Sequence, residues 1–164
     1  MKTAHDAIRA GYVVPDHIWK GYIGDLSDEE LLFRPFPGVN HIAWQLGHLI
    51  ASEHDMIGQC CPGAMPDLPV GFAERHSKET AGSDDPSVFL KKEEYVRLAD
   101  EQRAGTLKAL ESLSEEDLNK PSPESLRRMW PTIGDCFLMQ GTHWTMHAGQ
   151  WAVFRRKLGR APLF

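Results

Sequence analysis

No stretch of this 164-residue chain alternates apolar and polar residues over a strand length, and β-branched residues are sparse. What repeats instead is helical spacing, with apolar residues at i, i+3 and i+4. Four long segments carry it. The first covers roughly Ala4 to Gly24, with Ile8, Tyr12, Ile18, Trp19, Tyr22 and Ile23 inward. Pro15 predicts a kink or a fresh start within it. The second follows Pro35-Phe36-Pro37-Gly38, takes Asn40 as its N-cap, and runs to about Gly58. The third runs from about Lys91 to Leu113, with Tyr95, Leu98, Ala99, Leu107 and Leu110 inward. The fourth starts at Thr132, with Asp135 three residues on as in a capping box. It ends near Leu158, after Arg155, Arg156 and Lys157 and before Gly159. The expectation is an all-α four-helix bundle, with residues 1–164 forming one domain.

Two features organise the connections. The segment from about Cys60 to Ser87 is a long loop, punctuated by Pro62, Pro66, Pro69 and Pro86 and by Gly63, Gly71 and Gly82. A loop of that length is either functional or a crossover strap along the bundle. The second feature is an echo. Leu26-Ser-Asp-Glu-Glu-Leu31 precedes Arg34-Pro35, and Leu113-Ser-Glu-Glu-Asp-Leu118 precedes Lys120-Pro121. Each Ser can cap a short helical turn through an acidic residue three positions later. The chain thus reads as two helical hairpins, by duplication or by reuse of a good cap, with the second and fourth helices in equivalent places.

Composition excludes several classes. Hydrophobic residues are 41% and charged residues 25%, which is globular, and a net charge of −5 leaves no nucleic-acid footprint. The one basic cluster, Arg155 to Lys157, is explained by the end of the fourth helix. No apolar run is long enough to span a membrane, and the N-terminal stretch from Met1 to Ala10 has no apolar signal region. Cys60 and Cys61 are adjacent, Cys136 is distant, and no CxxC occurs, so a reduced cytoplasm is expected.

The eight histidines are the chemical signal. His143-Trp-Thr-Met-His147 places two imidazoles one turn apart on one helical face, beside the apolar arc of Ile133, Phe137, Trp144, Ala148 and Trp151. Trp144 stands where a zincin would need Glu, so a protease of that type is disfavoured. Two such histidines could converge on a cation or each satisfy a backbone carbonyl. A third ligand is available from the second helix. His48 borders the arc of Ile42, Leu46, Leu49, Ile50 and Ile57, on a stripe with His41, Trp44, Gln45, Ser52 and Asp55 that reads as a cavity wall. Alone it would be a hydrogen-bonded core histidine; on the partner-equivalent helix it completes a three-His site with an open position. His41 is the best candidate for supporting a ligand, and Gln45 and Asp55 for orienting water or substrate. His5 and His17 belong to the surface or rim, and His54 points away from His48. His76, in the long loop, is expected to be solvated, with closure over the site as the other reading. Cys136 lies on the His143 side of its helix, either near the site or as a small core residue.

These residues resemble a known family. Leu26 to Leu31, Arg34-Pro35, Pro37-Gly-Val-Asn40 and Ile42-Ala-Trp-Gln-Leu-Gly-His48-Leu49 are similar to the first half of DinB-like (DinB/YfiT-like) proteins. Thr132-Ile-Gly-Asp135, His143-x₃-His147-Ala-Gly-Gln150 and Arg155-Arg156-Lys-Leu-Gly159 are similar to their fourth-helix signature. The resemblance implies an up-down-down-up bundle holding one divalent metal, zinc or nickel, through His48, His143 and His147. It also implies a metalloenzyme that transfers a low-molecular-weight thiol such as bacillithiol to an electrophile, or a mycothiol-dependent isomerase. The other readings are a metal-dependent hydrolase and a non-catalytic metal-binding stress or sensor protein. A bound metal with an open position can deprotonate a thiol, and the thiolate is the nucleophile.

The fourth helix is apolar on its far side as well. Leu138, Met139, Met146 and Val153 are interleaved with Thr142, Thr145, Gly149 and Ala152. A helix apolar nearly all round is buried on both sides, so a homodimer is expected.

Overall fold

The structure is a computed structural model and describes residues 3–163. Met1 and Lys2, part of the N-terminal stretch discussed above, lie outside the described residues, as does Phe164. The elements are α1 (Ala4–Gly24), α2 (Asp28–Leu31), α3 (Ile42–Cys60), α4 (Phe72–Arg75), α5 (Lys92–Ser112), α6 (Glu115–Leu118), α7 (Glu124–Arg127) and α8 (Ile133–Lys157). Two 3₁₀ turns, Lys78–Thr80 and Pro86–Val88, lie between α4 and α5. Among the described residues, extended pairing is limited to an isolated bridge between Pro121 and Thr132. No described helix is long and apolar enough to cross a membrane.

Local chemistry sets where several of the helices start and stop. Capping boxes open α1 (Thr3 with Asp6), α2 (Ser27 with Glu30), α6 (Ser114 with Asp117) and α8 (Thr132 with Asp135). In each, two orphan N–H groups are satisfied reciprocally. The echoed Leu-Ser sequences are therefore α2 and α6. Gly159, at φ 72°, ends α8 in the left-handed conformation that glycine tolerates. Pro15 does not end α1, which continues through it with the ring buried.

The start of α3 corrects one expectation. Its N-cap is His41, not Asn40: His41 Nδ1 accepts the Trp44 N–H at 3.0 Å. His41 Nε2–H points to the Ser83 carbonyl at 3.1 Å, so the ring is neutral and both nitrogens serve backbone. Burial, reinforced by the Arg34 charge, lowers its pKa to about 4. An imidazole acceptor replaces the usual side-chain oxygen, and Asn40 instead offers its carbonyl to Gln45.

Packing brings α1 against α8 and α3 against both α5 and α8. The α1–α8 approach depends on glycine: a Cβ on Gly141 would lie 2.6 Å from the Gly11 carbonyl oxygen. Beside it Tyr12 donates its hydroxyl to the Phe137 carbonyl at 2.6 Å. The Trp19 and Trp144 rings meet at 4.7 Å. Leu46, Leu49 and Ile50 of α3, Tyr95 and Leu98 of α5, and Trp151 and Phe154 of α8 share one core.

The segment between α3 and α5 overturns a second expectation. His76 is only 2% exposed. The Phe72 carbonyl can only accept, so His76 Nδ1 carries the proton and donates to it at 2.8 Å. Nε2 then accepts the Tyr95 hydroxyl at 2.8 Å, and the Tyr95 oxygen accepts the Leu90 N–H at 3.2 Å. The ring fills the notch left by Gly47, where an added Cβ would lie 2.0 Å from His76 Cδ2. A loop histidine is buried because α3 offers it a socket and both nitrogens find partners. Arg34 ties the same segment down by donating to the Ala81 and Ser83 carbonyls and to Asp84.

Candidate metal centre

Three histidines meet between α3 and α8. His48 comes from the second turn of α3, and His143 and His147 lie one turn apart on α8. One ligating nitrogen from each lies within 4.8 Å of the others. Their ring centroids are 5.0–5.5 Å apart, and all three side chains are half-buried. Among the described residues this is the cluster of metal-ligating side chains that could hold an ion.

The electrostatics favour neutral rings. Burial, then the neighbouring imidazoles, pushes His143 and His147 down to about 4. Burial, then the charge of Lys78, lowers His48. At neutral pH each ring therefore keeps a lone pair for a cation. For His147 the tautomer is fixed as well. Trp151 Nε1–H can only donate, and it donates to Gln45 Oε1 at 2.8 Å. The same oxygen lies 2.8 Å from His147 Nδ1, which must therefore carry its proton and leave Nε2 free. A ligand imidazole held through its second nitrogen is the usual way in which a protein orients such a site.

A family model for the DinB superfamily matches residues 17–151, a span that contains all three histidines. The chain belongs to the DinB superfamily. No curated protein and no solved structure gives a significant match.

The other expected site residues of this DinB-superfamily chain fall into two groups. Gln45 is buried against His147, and Trp44 stacks on His48 with centroids 5.1 Å apart and planes 4° from parallel. Trp44 also donates its indole N–H to the Ser77 carbonyl at 3.0 Å, which brings the 3₁₀ turn carrying Lys78 to the side of His48. Ser52 is half-buried one turn beyond His48. His41 has both nitrogens engaged with the backbone and acts on the site only by fixing the start of α3. Asp55 is exposed, accepts from the Gln59 amide at 2.8 Å, and is not in the three-His cluster. Cys136 is fully buried with Met56 and Leu126, the core reading of that residue. His54 meets Gln102, and His5 meets Glu115 and the Leu113 carbonyl.

One supporting group was not foreseen. Glu53, 1% exposed, accepts the Trp144 indole N–H at 2.9 Å and the Thr106 hydroxyl at 2.7 Å. Arg103 of α5 lies 3.1 Å from the Glu53 carboxylate and 3.6 Å from that of Asp16. Its guanidinium rests on the Tyr12 ring at 4.1 Å, in ion-pair rather than hydrogen-bond alignment with the carboxylates. The network fixes Trp144, the neighbour of His143. Its signal in the sequence is a charged residue on each of two apolar arcs, Glu53 on the α3 arc and Arg103 on that of α5.

The residues fit a divalent ion. Three neutral imidazoles without a carboxylate make a set that suits zinc and nickel among other transition metals.

Proposed function

We propose that this chain is a metal-dependent enzyme of one domain, folded as an up-down-down-up bundle, that transfers a low-molecular-weight thiol to an electrophilic small molecule. The observation that carries the reading is the three-His cluster, with His147 oriented by Gln45. A divalent ion, zinc or nickel, would be held by His48, His143 and His147 and would supply the Lewis acidity that deprotonates a bound thiol or water. Gln45 keeps the His147 lone pair directed at the ion. Trp44 stacks on His48, and its indole N–H holds the Ser77–Lys78 turn beside it. Hydrolysis on the same centre is the second reading, since three protein ligands leave room for either nucleophile. A non-catalytic metal-binding role is the third.

The test is conjugation of a small thiol to 1-chloro-2,4-dinitrobenzene by the zinc- or nickel-loaded protein. The expected result is metal-dependent conjugation that His147→Ala abolishes. Ester hydrolysis without conjugation would favour the hydrolase, and neither activity the non-catalytic role.

The three free thiols suit a reducing cytoplasm, where we place the protein. We also propose a homodimer formed through α1 and α8. Val13 and Val14 on α1, and Leu138 and Met146 on α8, are each more than half exposed. Such apolar exposure marks an interaction surface. Light scattering at micromolar concentration tests this, and a monomer contradicts it.

A further inference from the structure

We propose that the hollow lined by Pro35, Phe36, Val39, Gln150, Val153 and Phe154 binds the apolar tail of the molecule whose head group sits at the three histidines. The inference rests on the metal-site reading above and adds a substrate class to it: a small amphiphile with a thiol head and an alkyl or aryl tail. The hollow has a volume of about 310 Å³, within the range of small-ligand sites.

Helical register ties it to the histidines. At about 100° per residue, Gln150 and Phe154 fall within roughly 60° of the His143–His147 column on α8, while Val153 lies roughly 100° from its middle. At about 1.5 Å per residue, they lie roughly 4.5 Å and 10 Å beyond His147 along the helix axis. A tail of four or five carbons running from the three-His site along α8 is long enough to reach the level of Gln150, at the edge of the hollow.

The opposite wall is stiff. Pro35 and Pro37 flank Phe36, and Gly38 turns the chain at φ 78°. Phe36 is 46% exposed, with the Lys157 ammonium 4.7 Å from its ring centre. It presents an aromatic face that nothing apolar in the chain covers completely. The wall is also coupled to the site, because Gln45, which holds His147, donates its amide to the carbonyl of Asn40, next to Val39. The Pro-Phe-Pro-Gly turn thereby has a use beyond starting α3.

The experiment uses cobalt-loaded protein and the 1-alkanethiols from ethanethiol to pentanethiol, read by the thiolate-to-cobalt absorption band. The proposal predicts that affinity rises about two- to fourfold per added methylene, as apolar burial requires. Phe36→Ser weakens that dependence and Gln150→Trp, which fills the mouth, removes it, while ethanethiol binding is retained. Both positions are exposed, so helical circular dichroism and cobalt uptake stay unchanged. Affinity independent of chain length in the unaltered protein, or the same dependence in both variants, overturns the proposal. A band for no thiol at all overturns the metal-site reading and this one with it.

Discussion

Gln45 satisfies three groups at once: its oxygen accepts from His147 and Trp151, and its amide donates to the Asn40 carbonyl. Gln45→Leu leaves the buried Trp151 N–H and the half-buried His147 N–H without an acceptor. It should weaken metal binding by about 10- to 100-fold and cost about 1–3 kcal/mol per orphaned donor. Gln45→Glu keeps the acceptor and should restore most of the metal affinity, measured by competition with a chelator. Equal affinity in wild type and Gln45→Leu contradicts the assigned role. At this scale the proximity of the three histidines was legible from the sequence, because helical register decides which side chains share a face. Gln45 was expected to orient water or substrate, and the support of a ligand was expected of His41, whose two nitrogens are taken up by backbone instead. Glu53 was not legible. Its place on an apolar arc makes sense only with Arg103 and Trp144 beside it, and that proximity is tertiary.

The segment from 61 to 91 is held to α3 by the His76 socket and by the Trp44–Ser77 and His41–Ser83 hydrogen bonds. Its composition, rich in proline, glycine and polar residues, predicted exposure for His76, because the notch at Gly47 is invisible in a periodic apolar arc. Gly47→Ala puts a methyl 2.0 Å from the imidazole and must expel it. The Tyr95 and Phe72 hydrogen bonds then go with it. The expected cost is about 1–3 kcal/mol, as for other overpacked sites, with faster proteolysis between 61 and 91. An unchanged cleavage pattern contradicts the socket. The caps of α2, α6 and α8 were legible because a capping box is a local pattern of four residues. The cap of α3 was not, because His41 is fixed for that task by its bond to the distant Ser83 carbonyl.

Across the whole molecule, the buried histidines set the pH dependence of stability. His41, His76, His143 and His147 are each held down to about 4, chiefly by burial, against an ordinary value of 6.5. Below 6.5 the unfolded chain takes up protons that the folded chain refuses. Metal-free protein should therefore hold its full stability above that pH and lose it as the pH falls towards about 4. His5 acts in the opposite sense. Glu115 raises its pKa, so its contribution is present below 6.5 and fades as the pH rises through the raised value. Urea midpoints at pH 7 and pH 5 measure the balance, and a higher midpoint at pH 5 contradicts it.

One divalent ion held by three histidines on two helices should be carried through purification. Metal analysis of wild type, His48→Ala and His147→Ala should give one zinc or nickel per chain in wild type and at least a tenfold loss of bound metal in each variant. Undiminished metal in both variants would contradict it.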